Sequence, residues 1–340
     1  MIMERVSIIF QGRVIENNKI CDDIIENIAI TRKNFPQDEI ILSTWNIRRD
    51  LRRELKQKIN PYDIILLESQ DPGPLIYQQK TARWVTNINR LIVSSREGIR
   101  RASHELVVKL RTDSRLNGPE IRHILQHRQE YACRFPRDPG YALFRHRVIN
   151  GNVFARNARG YMPYLFHPGD IFLAGNQQDL YDLFDIPLAD SSVFEVCFCF
   201  SIFTLMRYVP EQYIWVKYIE KVSGNMEFPG NRFASETLRE RSENYYINNF
   251  IPYSSEMLNF YWGKHHQVYK SKGLSSVYCF DDWKKLQPGE NPSQGTVQQL
   301  RHKVKRLHIF ILRVMLWIKF LPLHITFVRG VAIRVFGRRC

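Results

Sequence analysis

The stretch that decides the fold is Val6-Ser7-Ile8-Ile9-Phe10-Gln11-Gly12. Its first five residues are nearly all apolar, a pattern typical of a strand that is buried on both faces of a sheet. Gln11-Gly12 follows as a polar ending, because glycine adopts the backbone angles that a turn requires. The pattern therefore predicts a buried strand over Met3–Phe10 that ends at Gln11-Gly12.

Three further apolar runs follow, and helical patterns separate them. The apolar runs are Glu39–Thr44, Tyr62–Leu67 and Glu105–Leu110. The helical patterns are Asn17–Asn34, Ile47–Ile59 and Asn87–Arg101. Apolar strands that alternate with helices indicate an α/β protein with a mostly parallel, Rossmann-like sheet and helices on both faces.

The alternation weakens after about residue 150. Gln177–Phe184 and Tyr213–Val222 have helical patterns, whereas Ser192–Tyr208 is an apolar segment typical of a core. Phe228–Asn249 is polar, which predicts a partly irregular loop.

The carboxyl-terminal residues 291–340 combine basic and apolar side chains. They contain ten Lys and Arg residues and no acid, so most of the formal net charge of +15 lies there. Such a mixture is more typical of a membrane-surface helix than of a nucleic-acid contact. We expect an amphipathic helix on an anionic membrane surface and no nucleic-acid partner. The candidate membrane contacts are Arg301, Lys305, Arg306, Arg313, Trp317 and Lys319.

Ile309–Val328 has the length of a transmembrane helix but contains Arg313 and Lys319. Each charge at the bilayer centre costs roughly 2.5–3.5 kcal/mol. An in-plane helix avoids this cost because its cations reach the headgroups. The in-plane helix is the preferred interpretation, and a spanning helix and a soluble packed helix are the alternatives.

Four segments are predicted from these patterns. Residues 1–150 form the regular α/β half, and 151–288 form the second half of the same domain. Residues 289–299 (GENPSQGTVQQ) are a linker by composition, and 300–340 are the basic amphipathic tail.

Several protein classes are disfavoured by the sequence. The amino terminus lacks a signal-peptide pattern, so we expect the protein in the cytoplasm, peripheral on the inner membrane. The six cysteines form no CxxC pair, which argues against a zinc site or a disulfide framework. Neither GxxxxGK[ST] nor a helix-opening GxGxxG occurs, which argues against P-loop ATPases and dinucleotide dehydrogenases.

Polar loops come directly after the predicted strands, where α/β proteins bind their ligands. They are Gln11-Gly12, Thr44-Trp45, Asp71-Pro72-Gly73 and Arg111-Thr112-Asp113. A strand-end acid such as Asp113 suits a nucleotide diphosphate with its divalent cation. The alternative is that Asp113 only caps its loop or pairs with Arg111.

These motifs resemble the WavE family of lipopolysaccharide-synthesis glycosyltransferases over residues 4–285. The motifs that carry the resemblance are Val6–Gly12, Glu39–Trp45, Asp71–Gly73, Asn87–Ser95, Val108–Asp113, Phe166–Phe172 and Pro210–Tyr213. The resemblance implies a GT-A-like fold and a nucleotide-sugar donor. It also implies a glycan or glycolipid as the acceptor. In such an enzyme, residues 1–150 would be the nucleotide-sugar-binding half and 151–288 the acceptor-side half of one catalytic domain.

The resemblance also implies roles for individual residues on the donor side. Phe10-Gln11-Gly12 would line the pocket for the base and ribose, and Asp71 would hydrogen-bond one of them. Asn87 and Arg90 would approach the diphosphate from their helix, because arginine binds phosphate with two parallel hydrogen bonds.

Asp113 would take the place of the metal-binding aspartate, with Mg²⁺ or Mn²⁺ as the expected ion. GT-A proteins commonly carry two aspartates one residue apart, whereas Arg115 occupies the second place here. Arg111 or Arg115 is therefore the alternative charge on the phosphates, and Arg111 also counts as a donor-binding candidate. His167 is a further candidate ligand of the metal or the acceptor, or else a packed histidine.

Asp170 and Glu211 are the candidate catalytic carboxylates. In an inverting enzyme, either one would take the proton of the acceptor hydroxyl. Asp170 is equally explained by a loop turn, and Glu211 by the favourable position of an acid at a helix start.

The sequence leads us to expect a membrane-associated glycosyltransferase that builds a cell-surface glycan of lipopolysaccharide or capsule type. A nucleotidyltransferase of similar fold is one alternative. A non-enzymatic basic protein that binds nucleic acid or membranes is the other.

Overall fold

The computed structural model describes residues 4–79, 82–199, 202–264, 275–289, 296–325 and 330–331. Its strands are β1 (Val6–Gln11), β2 (Ile15–Glu16), β3 (Lys19–Ile20), β4 (Glu39–Trp45), β5 (Ile65–Ser69), β6 (Leu75–Gln79), β7 (Ala82–Thr86), β8 (Leu106–Arg111), β9 (Ser114–Leu116), β10 (Val148–Gly151), β11 (Phe172–Asn176), β12 (Phe194–Cys199), β13 (Ile202–Met206), β14 (Phe250–Tyr253) and β15 (Phe260–Trp262).

The helices alternate with the strands in the first half of the chain. They are α1 (Asp22–Asn34), α2 (Arg49–Ile59), α3 (Ile88–Arg101), α4 (Glu120–Gln126), α5 (Arg128–Arg134), α6 (Gln177–Phe184), α7 (Pro210–Ser223), α8 (Glu236–Asn249), α9 (Phe280–Lys285) and α10 (Thr296–Phe320). Short 3-10 helices cover Asn60–Tyr62, Ser191–Val193 and Leu321–His324.

A seven-stranded sheet lies at the centre, in the order β14-β10-β11-β8-β1-β4-β5. Strand β11 runs antiparallel to β8 and β10, and the other neighbouring pairs are parallel. All six residues of β1 are buried, so both faces of the sheet are covered at its centre. The predicted α/β fold, a mostly parallel sheet with helices on both faces, is confirmed.

The reversal of β11 determines which residues meet at the carboxyl edge of the sheet. Gln11 of β1 is paired in register with Arg111 of β8, and both strands end there. Because β11 is antiparallel, it begins where β8 ends, with Phe172 opposite Leu110. The loop that precedes β11, with Asp170, therefore lies at the same edge as the ends of β1 and β8.

One local prediction from the sequence was wrong. The predicted helix over Asn17–Asn34 begins only at Asp22, because Asn17 and Asn18 have φ angles of 50° and 60° and form the two-residue turn between β2 and β3. The segment Phe228–Asn249, predicted to be partly a loop, is irregular at its start and forms α8 from Glu236 onwards. Ser235 begins α8 by accepting a hydrogen bond from the Leu238 amide, at 3.1 Å.

Helix α10 packs against the rest of the protein along one face. Leu312 is buried, Arg313 Nε donates to the Gly160 carbonyl at 3.0 Å, and Phe320 contacts Phe198 and Phe203. Residues 290–295 of the predicted linker, and 326–329 and 332–340 of the tail, lie outside the described residues.

The opposite face of α10 exposes large apolar side chains. They are Leu300, Val304, Leu307, Phe310, Ile311, Met315, Trp317 and Ile318. In the part of the chain that the structure describes, no helix is both long and apolar enough to cross a bilayer.

Candidate active site

The ends of β1 and β8 form the floor of the candidate site. The Thr112 amide donates to the Gln11 carbonyl at 3.1 Å, which keeps the two strand ends together. Gly12 has a φ of 134°, and a Cβ atom there would lie 3.0 Å from Thr112 Oγ1. A glycine is therefore required where the two loops approach each other. The Gln11 side chain next to it is buried and accepts a hydrogen bond from Ser94 Oγ at 2.8 Å.

Arg111 and Asp113 form a bidentate ion pair immediately beyond β8. Arg111 Nε lies 2.9 Å from Asp113 Oδ1, and Nη2 lies 3.1 Å from Oδ2. Burial alone would raise the pKa of Asp113, but the hydrogen bonds and charge of Arg111 outweigh it, and the pKa is lowered. The Arg111 guanidinium also lies over the Trp262 ring, 5.6 Å from its centroid. These contacts hold the guanidinium in one place.

Asp170 is held from beneath by a lysine inside the sheet. Lys109 of β8 is completely buried, and its Nζ lies 3.2 Å from Asp170 Oδ2 and also contacts the Asp170 carbonyl oxygen. Burial lowers the pKa of Lys109, and the charge of Asp170 opposes this effect. The pair satisfies two charges that would otherwise be costly to bury.

Glu211 lies in the first turn of α7, next to the loop that carries Asp170. Its carboxylate Oε2 is 3.7 Å from His167 Nε2, and 19% of its side-chain surface is exposed. Burial, and next the negative charge of Asp170, raise the pKa of Glu211 to about 7. Arg156 and Arg111 act in the opposite direction. Glu211 can therefore gain or lose a proton near neutral pH.

His167 is neutral at neutral pH. Burial, and next the charge of Arg156, lower its pKa to about 3. The approach to Glu211 is therefore not an ion pair, and 3.7 Å is too long for a hydrogen bond. His167 Nδ1 is buried and has no partner among the described residues.

Polar side chains fix the start of α7 and hence the position of Glu211. Gln212 accepts from the Val209 amide at 3.0 Å and donates to the Leu165 carbonyl at 2.7 Å. The second bond connects the helix to the loop of His167. That loop is tightly bent, because Phe166 and Gly169 have φ angles of 53° and 78°.

The predicted donor residues Asp71, Asn87 and Arg90 are brought together by the start of α3. Arg90 Nε and Nη2 lie 2.8 and 2.6 Å from the two Asp71 oxygens, and Nη1 lies 3.0 Å from Asn87 Oδ1. The guanidinium also lies 5.8 Å from the centroid of Trp45, at the end of β4. The hydrogen bonds of Arg90 lower the pKa of Asp71.

Two predicted residues are placed away from this surface. Phe10 has no exposed surface and belongs to the core, so its side chain offers no contact to a nucleotide. Arg115 faces α1, where it lies 3.6 Å from Glu26, and its guanidinium covers the Tyr261 ring. Of the two arginines considered for the phosphates, only Arg111 is paired with Asp113.

The predicted metal ligands, Asp113 and His167, do not form a ready site for a divalent cation. Asp113 uses both oxygens for Arg111, whereas His167 lies beside Glu211. No group of three or more His, Cys, Asp or Glu side chains that could hold a metal ion occurs within the described ranges. The predicted Mg²⁺ or Mn²⁺ remains a prediction.

Sequence reasoning missed Lys109 and Arg156 as members of this cluster. Lys109 could have been recognised, because a lysine inside the apolar run Glu105–Leu110 needs a buried acidic partner. Arg156 gave no such signal, since it lies in a loop and reaches the site only through the folded chain. Its Nη1 donates to Ser276 Oγ at 2.8 Å.

The candidate membrane residues divide into two groups. Arg306, Trp317 and Lys319 are exposed on α10. Lys305 pairs with Asp282, and Arg313 bonds the Gly160 carbonyl, so both contact the protein itself. The Arg301 side chain lies outside the described part of the structure.

Comparison with known proteins identifies a family. The family profile described as WavE lipopolysaccharide synthesis matches residues 6–310. A search of curated proteins found no match.

Several solved structures are distantly similar. A cytidylyltransferase from Leptospira borgpetersenii serovar Hardjo-bovis (strain JB197) has a TM-score of 0.33 and 14% identity, over 68% of this chain and 77% of that one. Mouse xyloside xylosyltransferase 1 has a TM-score of 0.35 and 8% identity, over 81% and 94%. The glycosyltransferase GlyE of Streptococcus pneumoniae TIGR4 has a TM-score of 0.32 and 10% identity, over 93% and 64%.

Proposed function

The chain belongs to the WavE lipopolysaccharide synthesis family, and from this membership we propose that it is a nucleotide-sugar-dependent glycosyltransferase. It would transfer a sugar to a growing cell-surface glycan of lipopolysaccharide or capsule type. The reaction would take place at the cytoplasmic face of the inner membrane.

One observation carries the proposal. A carboxylate with a pKa of about 7, Glu211, lies at the same edge of the sheet as the arginine–aspartate pair Arg111–Asp113. Transfer from a nucleotide sugar needs a base for the acceptor hydroxyl and positive hydrogen-bond donors for the leaving diphosphate. At this edge of the sheet, the Glu211 carboxylate could serve as the base and the Arg111 guanidinium as the positive hydrogen-bond donor, and both lie on regular elements of the fold.

Glu211 is the proposed general base. Its carboxylate takes the proton of the acceptor hydroxyl, and the acceptor oxygen forms a bond to the anomeric carbon. The bond from that carbon to the donor phosphate breaks, and its electron pair leaves with the nucleotide. Asp170 does not act as the base in this scheme; its charge raises the pKa of Glu211, and Lys109 holds its carboxylate in place. A single displacement of this kind inverts the anomeric centre.

Asp71, Asn87 and Arg90 are proposed to bind the nucleotide of the donor. The three side chains already contact one another at the start of α3, on the same edge as Gln11 and Gly12. Trp45 beside Arg90 adds an aromatic surface. This arrangement suits a base and ribose near Gln11 and a phosphate near Arg90.

The apolar face of α10 is proposed to lie on the anionic membrane. Large apolar side chains are exposed along this face, whereas the opposite face is used for packing on the protein. Arg306 and Lys319 would contact lipid phosphates, and each cation near such a surface contributes about 1 kcal/mol. The orientation would keep the site next to a lipid-linked acceptor.

The test is a donor panel with product identification. The purified protein is incubated with UDP-, GDP-, CMP- and dTDP-sugars and with a lipopolysaccharide-type acceptor. Release of nucleoside diphosphate, or of CMP from a CMP-sugar, together with a labelled acceptor supports glycosyl transfer. Release of pyrophosphate from a nucleoside triphosphate and a sugar phosphate would instead support a nucleotidyltransferase and contradict the proposal.

A further inference from the structure

Asp113 occupies the place at which the family resemblance implies a metal-binding aspartate, yet its charge is already neutralised. Arg111 contacts both carboxylate oxygens, at 2.9 and 3.1 Å. Mg²⁺ and Mn²⁺ take one or two free carboxylates together with phosphate oxygens. A carboxylate in a bidentate pair with arginine is not free, and the acidic side chain that could assist it is replaced by Arg115. The side chains at this position therefore do not fit a divalent cation.

We propose that Arg111, positioned by Asp113, binds the diphosphate of the donor and stabilises the leaving nucleotide in place of a divalent cation. The inference rests on the proposed function and specifies how its site handles charge. Arg111 is a catalytic residue in this view, because it touches the leaving group. Asp113 is a positioning residue that acts through Arg111.

The geometry leaves Arg111 able to bind an anion. A guanidinium has five N–H donors, and the two bonds to Asp113 use the Nε–H and one hydrogen of Nη2. The other donors have no protein partner among the described residues, and 36% of the side-chain surface is exposed. Arg111 is next to Gln11 in the sheet, at the strand ends where α/β proteins place phosphates.

The position of the guanidinium is fixed before a ligand arrives. Asp113 holds one edge of it, and Trp262 covers one face at 5.6 Å from the ring centroid. A donor that is already oriented stabilises developing charge without the cost of reorganisation. Arginine also keeps its proton at every physiological pH, so it supplies a permanent positive charge as a metal ion would.

The charges of the cluster change in step with the reaction. Lys109, Arg111 and Arg156 are the basic members, and Asp113, Asp170 and Glu211 are the acidic ones. When Glu211 takes the acceptor proton, one negative charge disappears from the cluster. The gain in positive potential coincides with the growth of negative charge on the diphosphate oxygen that Arg111 contacts.

Calorimetric titration of the full chain with UDP, GDP, CDP and dTDP tests the inference. At least one nucleotide should bind, with a Kd that differs by less than about twofold between EDTA and excess Mg²⁺ or Mn²⁺. Arg111→Ala should weaken this binding about 10- to 100-fold, since charged hydrogen bonds are lost. Arg111→Lys keeps the charge but not the paired geometry of the guanidinium. Its Kd should therefore lie between that of the unsubstituted protein and that of Arg111→Ala, and EDTA should not change it.

Arg115→Ala is the matched control, because Arg115 lies four residues further along the chain, in β9, but faces Glu26. Its Kd should stay within about twofold of the unsubstituted protein. In Arg111→Ala the Asp113 carboxylate becomes free, so added Mn²⁺ should restore part of the binding. Asp113→Asn should weaken binding under both conditions by releasing Arg111.

Two results would overturn the inference. One is loss of nucleotide binding to the unsubstituted protein in EDTA. The other is equal or tighter binding by a folded Arg111→Ala variant, as expected if arginine competes with a metal for Asp113. If none of the four nucleoside diphosphates binds under any condition, the inference is overturned, whereas the donor panel with product identification decides the proposed function separately.

Discussion

At the scale of single residues, the protonation of Glu211 tests its proposed role as the general base. Glu211 must be ionised to accept a proton, and its pKa is raised to about 7 by burial and by Asp170. Activity should therefore increase as the pH rises through about 7, because the ionised fraction increases. The pH profile of kcat in saturating donor and acceptor measures this directly.

Glu211→Gln should lower kcat by about 10²- to 10⁴-fold and remove the pH-dependent rise, with donor affinity unchanged. Glu220→Gln is the control, since Glu220 lies on the same helix with 20% of its side chain exposed, close to the 19% of Glu211. The control should keep both the rate and the profile. A Glu211→Gln enzyme with a normal rate would show that another group is the base.

The buried ion pair of Lys109 with Asp170 leads to a prediction about stability. Lys109→Met should lower the free energy of unfolding by about 3–5 kcal/mol, because Asp170 loses the cation that compensates it. Urea unfolding measures the change. The exposed pair of Lys221 with Asp185 provides the control, and Lys221→Met should cost about 0–1 kcal/mol.

Adding Asp170→Leu to Lys109→Met should recover most of the lost stability, since no unpaired charge then remains inside the protein. The recovery separates loss of charge compensation from loss of lysine packing. A double variant as unstable as Lys109→Met alone would contradict the charge explanation.

At the scale of elements, the contact of α3 with the sheet depends on Gly98. A Cβ atom at this position would lie 2.6 Å from Ile9 Cγ2 and 3.0 Å from Ser43 Cβ. Alanine favours helices over glycine by about 1 kcal/mol, but forcing the helix off the sheet costs about 1–3 kcal/mol. Gly98→Ala should therefore lower stability in urea unfolding.

Arg101→Ala tests helix propensity alone, because Arg101 is exposed at the end of the same helix. Arg101→Ala should change the free energy of unfolding by no more than about 0.5 kcal/mol. A gain in stability for Gly98→Ala would mean that α3 can move away from the sheet without cost.

The elements that the sequence predicts correctly are those with strong local signals. The apolar runs predicted β1, β4, β5 and β8 to within a few residues, and the helical pattern of Gln177–Phe184 has the bounds of α6. Helix α8 was not predicted because polar residues, Ser242, Asn248 and Asn249, belong to its buried side together with the tyrosines, so no apolar stripe marks it. Its burial comes from tertiary contacts that local patterns do not encode.

The candidate site was predictable where it follows strand ends and unpredictable where it depends on the folded chain. Asp113 and Gln11 could be placed because parallel strands end at a common edge. The pairing of Arg111 with Asp113 appeared only as one alternative, since sequence does not specify side-chain geometry. The approach of His167 to Glu211 joins two segments far apart in the chain, and no spacing rule predicts it.

At the scale of the whole molecule, the two sides of α10 have different surroundings. One side attaches the helix to the rest of the protein through Lys305–Asp282, Arg313–Gly160 and the ring contacts of Phe320. The other side exposes large apolar residues, among them Ile311 and Ile318. Removing residues 300–340 would change both sides at once, so substitutions on the exposed side give a cleaner test.

Ile311→Glu combined with Ile318→Glu should abolish flotation with anionic liposomes and leave the fold intact. The two side chains are 47% and 57% exposed, and burying a large apolar side chain in lipid contributes about 1.5–3 kcal/mol.

Met226→Glu is the control, because Met226 is 60% exposed but lies outside α10. Binding of the unsubstituted protein should weaken as salt rises without disappearing, since screening affects only the cations. If the double variant still floats, or if the unsubstituted protein is retained by DNA and not by liposomes, α10 is not the membrane contact. In that case the basic residues of the tail serve another anionic partner.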